Sequence, residues 1–341
     1  MTLPLSKKYA PMEADPASQL PSGPNWHYEP KWDGFRCIAF RDGNRVDLES
    51  KSGKLLTRYF PELVAALRAI RATRFVLDGE IVIPLDGDLS FDSLLQRIHP
   101  AASRVEKLSK ETPSVFIVFD LLVDAAGEKL VQRPLSERRR ALEVFAKRFL
   151  RGSKSVRLSP VTKNLAVAKK WFQMGVGLDG IVAKRDDLAY QSGNRAGMQK
   201  IKPQRTADCV VGGFRYLEKK RVVGSLLLGL YDSADKLDHV GFTSSIHDED
   251  RKPLTKKLEA LIKPPGFTGK APGGPSRWST KRSAEWEPLA TQLVVEVQFD
   301  HFTGGRFRHG TKFLRWRPEK SPKSCTVRQV RRENRSALDL L

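Results

Sequence analysis

Glu29-Pro30-Lys31-Trp32-Asp33-Gly34-Phe35-Arg36 sets a lysine just ahead of an Asp-Gly pair and an arginine. A lysine attacks phosphorus only as the free amine, so it needs neighbouring cations or desolvation to lower its pKa, and a metal to polarise the phosphate. Gly34 would let the backbone pass close to a ligand, and Arg36 offers a forked, permanently charged donor to a phosphate. The same residues also suit a surface hairpin turn, so this stretch alone leaves covalent nucleotidyl chemistry and a plain turn both open.

Further segments shift the balance. Leu77-Asp78-Gly79-Glu80 sits inside Phe75–Ile83, an apolar run that predicts a buried strand presenting one carboxylate. Phe119-Asp120-Leu121-Leu122 ends a second run that begins at Val115, and Asp179-Gly180-Ile181-Val182-Ala183-Lys184 reads as a strand with an acid and a base at its ends. Met198-Gln199-Lys200-Ile201-Lys202 alternates, so both lysines share one face of an extended segment. Each segment by itself also reads as ordinary structure, whereas their joint occurrence in this order does not.

Together these segments resemble the nucleotidyltransferase motifs of the ATP-dependent DNA ligases, over nearly the whole chain. Gln292–Asp300, His301-Phe302-Thr303, Arg306-Phe307-Arg308-His309-Gly310 and Leu314-Arg315-Trp316-Arg317-Pro318-Glu319-Lys320 extend the likeness to the second domain of the compact, stand-alone bacterial forms and of the bacterial end-joining enzyme's ligase module. The resemblance implies an adenylation domain followed by an oligonucleotide-binding (OB) barrel. It also implies three steps: Lys31 takes AMP from ATP, AMP passes to the 5′-phosphate of a nick, and the 3′-hydroxyl displaces it. Each is in-line displacement at phosphorus, so positioning and charge neutralisation supply most of the catalysis.

Carried over by motif, the resemblance makes Lys31 the nucleophile, with Glu29 on the adenine side and Arg36 near the ribose and the nick phosphate. It puts Glu80 on the ribose or a metal, Phe119 on the adenine face and Asp179 on the divalent ion. Lys200 and Lys202 fall to the α-phosphate, Lys51 to nicked DNA, and Arg315, Arg317 and Lys320 to the pyrophosphate. Mg²⁺, or Mn²⁺, suits this set of carboxylates and phosphates. Four positions depart from the common family pattern: Lys51 stands for Arg, Asp179 for Glu, Met198 for Trp and Glu319 for Asp. Lys51 exchanges a bidentate fork for a point charge, and Asp179 reaches one methylene less far. A related RNA-end enzyme and a non-catalytic binding module on the same fold remain the competing readings.

Composition agrees with a nucleic-acid substrate. Sixty Lys and Arg against 39 Asp and Glu give a formal charge of +21, with a sequence pI near 10.0. Arg138-Arg139-Arg140 and Arg328–Arg335 read as solvated surface. Cys37, Cys209 and Cys325 lie far apart, which argues against a zinc module or a disulfide framework. No signal or membrane segment is seen in the sequence, so a cytoplasmic, nucleoid-associated bacterial monomer is expected, with a repair or end-joining protein to recruit it.

With 341 residues and 40% hydrophobic content the chain suffices for two domains. Residues 1–25, rich in Pro, Ser and Ala, read as a lead-in without a motif. Residues 26–203, where strands alternate with helices at Pro61–Arg71, Leu135–Leu150 and Leu165–Met174, read as an α+β adenylation domain with mixed and antiparallel sheets. Residues 204–341 read as the OB barrel: strands Ala207–Phe214, Ser225–Tyr231, Lys236–Thr243 and Gln292–Phe299, a helix near Asp248–Ile262 and a loop at Pro264–Ser276. Pro203-Gln204-Arg205-Thr206 is the expected hinge, because the second-domain cations could serve the first step only with that domain closed over ATP. A crosslink locking that closed form should permit lysyl-AMP formation and block sealing; sealing at the normal rate in the locked protein would refute the rotation.

Overall fold

The computed structural model describes residues 3–174, 178–218, 220–273, 285–330 and 337–341. Its contacts divide into two compact units, Met1–Pro203 with Glu333–Leu341, and Gln204–Arg332. The domain boundary expected from sequence therefore needs a correction at its far end. Leu340 and Leu341 pack against Trp32, Val82, Ile117 and Leu178 of the first unit, and Arg157 donates to the Leu341 carbonyl.

Two sheets build the first unit. The larger runs in the order Arg45–Ser50, Phe35–Asp42, Arg74–Val82, Val115–Val123 and Val156–Leu158; its pairings are antiparallel except the last. The smaller runs Asp15–Ala17, Met198–Ile201, Ile181–Arg185, Trp26–Pro30. Its first strand comes from the lead-in and pairs in parallel with Met198–Ile201, so residues 15–17 belong to the fold itself. On one side of the larger sheet, Ala39, Leu77, Phe75 and Val118 join Leu63 and Leu67 of the helix Pro61–Ala69 and Leu142 of the helix Leu135–Phe145 in the main core. These strands are apolar because both faces are covered, so burial rather than alternation marks them.

Some sequence expectations change. Phe119-Asp120 falls mid-strand in Val115–Val123 and not at its end, because the apolar run continues through Leu121, Leu122 and Val123. Helices Phe91–Gln96 and Ala102–Glu111 went unread; the second has a mostly polar sequence in which Val105 is the one buried large apolar residue. Arg138 and Arg139 are not solvated surface. Arg138, 1% exposed, grips Asp120 through Nε and Nη2, both at 2.9 Å, and Arg139 donates to the Ser159 carbonyl. In Arg328–Arg335, residues 331–335 lie outside the described residues.

The second unit is a barrel built on a six-stranded sheet, in which Glu287–Pro288 pairs with Arg205–Leu217 off the main path of five. Its order is Leu237–Thr243, Lys220–Tyr231, Arg205–Leu217, Val294–Phe299, Lys312–Trp316. A parallel bridge between Thr243 and Thr311 joins the two edge strands, with Thr243 Oγ1 donating to the Thr311 carbonyl at 2.9 Å. Closure removes the free edges, as an OB barrel requires. The helix Asp248–Glu259 lies between the third and fourth strands in sequence, and Leu258 packs into the barrel core with Val223, Leu226 and Val295. The loop expected over Pro264–Ser276 is described to residue 273 and holds no helix or strand there.

The Arg138–Asp120 pair is buried on both sides, so removing one partner strands the other charge. Arg138→Ala should destabilise the protein by about 3–5 kcal/mol, measured by urea unfolding, while Arg138→Met with Asp120→Leu should cost much less. Equal losses in the two variants would mean that the pair's charges contribute nothing particular.

Candidate active site

The loop Lys31–Gly34 joins the smaller sheet to the larger one, and its backbone is pinned where it crosses. Lys31 N–H donates to the Gly180 carbonyl and Asp179 N–H to the Lys31 carbonyl, both at 2.9 Å. Trp32, buried, donates its indole N–H to Ser159 Oγ at 3.0 Å. Gly34 was expected to admit a ligand; the close neighbour is instead the Ile81 carbonyl of the next strand, which a Cβ would strike. Gly180, at φ +131°, is required twice over, by its backbone conformation and by the Ile201 carbonyl beside it.

This crossing sets the Lys31 ammonium on the Asp179 carboxylate, which also takes Lys202 Nζ at 2.9 Å. Beside it opens a cavity of about 220 Å³. The larger sheet contributes Arg36, Glu80 and Phe119, the smaller sheet Glu29, Val182, Lys184 and Lys200, and Lys31 and Lys51 complete the wall. Lys31, Glu29, Arg36, Glu80, Phe119, Lys200 and Lys51 thus come together around the cavity, and Asp179 holds both Lys31 and Lys202 beside it. Arg315, Arg317 and Lys320 belong to the second unit. There Arg315 Nε lies 2.7 Å from Glu296, Arg317 bonds Glu296, Asp208 and Glu319, and Lys320 meets Asp208 at 3.1 Å.

Fixed ion pairs shape the cavity. Arg36 binds Asp78, fully buried, through Nε and Nη2 at 2.7 Å each, and Tyr190 Oη donates to Asp78 at 2.6 Å. Burial would lower the Arg36 pKa, but Asp78 outweighs it and holds the guanidinium charged. Burial likewise works against the Glu29 carboxylate, yet Lys184 Nζ at 2.8 Å and His27 bring it down to about 2. Arg36 Cζ and Lys184 Nζ lie 4.5 and 4.4 Å from the Phe119 ring centre. Burial, followed by the Lys31 charge, lowers the Lys200 pKa.

Sequence reading missed three contributors. Lys184 was noted only as the end of a strand, although period 2 puts it on the same face as Val182. Met12 and Glu13, in the supposedly motif-free lead-in, also line the cavity. Met12 N–H donates to Tyr190 Oη at 2.9 Å, and Glu13 lies 3.0 Å from Lys51. No local pattern announces them, because they arrive through the parallel pairing of residues 15–17.

A family model described as the ATP dependent DNA ligase domain matches residues 11–202, and one described as the ATP dependent DNA ligase C terminal region matches residues 219–320. The chain belongs to the ATP-dependent DNA ligases. It is 43% identical to DNA ligase C2 of Mycolicibacterium smegmatis, over 97% of this chain and 96% of that one. DNA ligase C of Mycobacterium tuberculosis is 42% identical over the same shares. A solved structure of a Lig E DNA ligase shares the fold at TM-score 0.56 and 14% identity, over 90% of this chain and 99% of that one. The ligase seals 5′-phosphate/3′-hydroxyl nicks in DNA with ATP and a divalent ion.

Glu80 and Asp179 are hard oxygen donors, the chemistry that a Mg²⁺ ion takes. Burial pushes the Glu80 carboxyl up to about 7, because Arg36 and Lys31 offset only part of the desolvation. Its negative charge is undercompensated by the ligase alone, which fits a carboxylate meant for an added cation.

A raised carboxyl favours the folded state below its ordinary value of 4.5, and that contribution fades as pH climbs through about 7. Without nucleotide or metal, Glu80→Gln should therefore melt above wild type at pH 8, with the gap closing at pH 5. A constant gap across that range would show that Glu80 is not desolvated.

Proposed function

We propose that Lys31 is the residue that carries AMP in this ligase and that the cavity beside it binds the nucleotide. The observation that carries this reading is the shared carboxylate of Asp179, which holds Lys31 and Lys202 at the mouth of a pocket walled by Glu29, Arg36, Glu80, Phe119 and Lys200. In the first step the Lys31 Nζ–phosphorus bond forms as the bond from the α-phosphorus to the pyrophosphate oxygen breaks. Lys31 must shed a proton and leave Asp179 to do so. Lys200 and Lys202 neutralise charge on the phosphate.

Glu29 faces the adenine and Phe119 stacks on it. Arg36, pinned by Asp78, presents its remaining donor edge to the ribose and later to the nick phosphate. Glu80 and Asp179 would hold the divalent ion, which would supply Lewis-acid polarisation of the α-phosphate when bound. Lys51, an exposed cation with one partner in Glu13, contacts the nicked duplex, and Arg315, Arg317 and Lys320 orient the pyrophosphate. The ligase acts as a cytoplasmic, nucleoid-associated monomer, with a repair or end-joining protein to recruit it.

Purified protein with Mg²⁺ and α-labelled ATP should take covalent label that a nicked duplex then discharges. Lys31→Ala should lose all label and keep its fold and its duplex binding, with a salt slope smaller by about 0.9. Label persisting in Lys31→Ala would move the nucleophile elsewhere.

A further inference from the structure

The nucleotide assignments leave one buried group next to the cavity without a role. His27, 2% exposed, precedes Glu29 by two residues on the strand Trp26–Pro30. Its Nδ1 lies 2.7 Å from Asp186 Oδ1 and its Nε2 3.2 Å from Glu29 Oε1. His27 Nε2, Glu29 Oε1 and Asp186 Oδ1 have no regular hydrogen-bond partner, so charge at short range is what joins these groups. A neutral imidazole carries one N–H and one lone pair. Either tautomer would therefore set a lone pair against a buried carboxylate oxygen, whereas the imidazolium offers N–H on both sides.

Charge counting leads to the same state. Glu29 and Asp186 bring two negative charges into this layer, and Lys184 of the neighbouring strand Ile181–Arg185 returns one positive charge. Lys163, from the segment before the helix Leu165–Met174, reaches Asp186 from the exposed side. Arg139, on the helix Leu135–Phe145, acts on Glu29 from farther away. A charged His27 puts a positive charge directly between the two carboxylates, which Lys184, Lys163 and the buried Arg139 flank.

We propose that His27 is a positioning residue, held as an imidazolium between Glu29 and Asp186, that together with Lys184 fixes the Glu29 carboxylate at the nucleotide cavity and so makes ATP affinity depend on the charge of His27. This rests on the assignment of that cavity to the nucleotide. Burial opposes the charge, but Asp186 and Glu29 outweigh it and raise the His27 pKa above its ordinary 6.5. The charged form is therefore complete at low pH and lost as pH rises through the raised value, so ATP affinity should fall as pH rises through that value.

The test uses the full chain, single-turnover labelling with ATP and Mg²⁺, and ¹⁵N-histidine spectra with the His27 signals assigned by their loss in His27→Gln. At pH 6.5 both His27 ring nitrogens should show predominantly imidazolium shifts. His27→Gln should raise the apparent ATP dissociation constant by about tenfold, the loss of one short-range charge contact to Glu29. Its maximal labelling rate should stay within about twofold, and its pH dependence should be flat where the wild type declines. Comparison at matched pH cancels the titration of ATP itself. Asp186→Asn, which keeps the side-chain shape, should lower the His27 pKa in the spectrum and move the fall in affinity to lower pH, and this holds the question open to disproof if His27→Gln misfolds. A His27 that titrates at or below 6.5, an unshifted Asp186→Asn profile, or wild-type ATP affinity in His27→Gln would each overturn the proposal. Absence of wild-type label at Lys31 would instead sink the nucleotide assignment, while the spectra would still decide the charge of His27.

Discussion

The paired backbone hydrogen bonds between Lys31 and the Asp179-Gly180 peptide are the constraint on which the rest of the site depends. A chain leaving one sheet for another exposes unpaired N–H and C=O groups, and buried ones must find partners. Here they find each other, and the same two bonds set the Lys31 amine on the Asp179 carboxylate. Gly180 allows the approach through its positive φ, and Gly34 allows the exit past Ile81. The geometry of the reactive amine is thus a by-product of satisfying the backbone where two sheets meet.

Around that crossing the cavity uses two kinds of charge. Arg36 with Asp78, Arg138 with Asp120, and Lys184 with Glu29 are buried pairs whose desolvation is offset only by close, multiply bonded geometry. Such pairs are costly to distort, so they hold the walls in shape before any ligand arrives. Lys51 and Lys202 are exposed and Lys200 partly so, which leaves these cations open to solvent. Fixed walls with exposed cations suit the proposed displacements at phosphorus.

Much of this was legible because apolar runs and chemical motifs coincide. Arg74–Val82 and Ile181–Arg185 are strands whose apolar residues pack into the cores, and the same strands carry Glu80 and Lys184 to the cavity. The Arg138-Arg139-Arg140 run misled because charge in a sequence says nothing about which partner waits across the core; Asp120 lies 18 residues upstream and on a strand. The helix Ala102–Glu111 lacked an apolar stripe strong enough to announce it.

By itself the sequence determined the chemistry: an amine at Lys31, carboxylates at Glu29, Glu80 and Asp179, cations at Lys200 and Lys202, and two domains parted near Pro203. Those follow from residue identity and local periodicity, which are properties of neighbours in the chain. Only tertiary structure decided that Met12 and Glu13 join the wall, that His27 bridges Glu29 and Asp186, that Thr243 and Thr311 close the barrel, and that Leu340 and Leu341 pack behind Trp32. Each of these pairs groups distant in sequence, and nothing local records which of many possible partners a buried donor, acceptor or apolar face will meet.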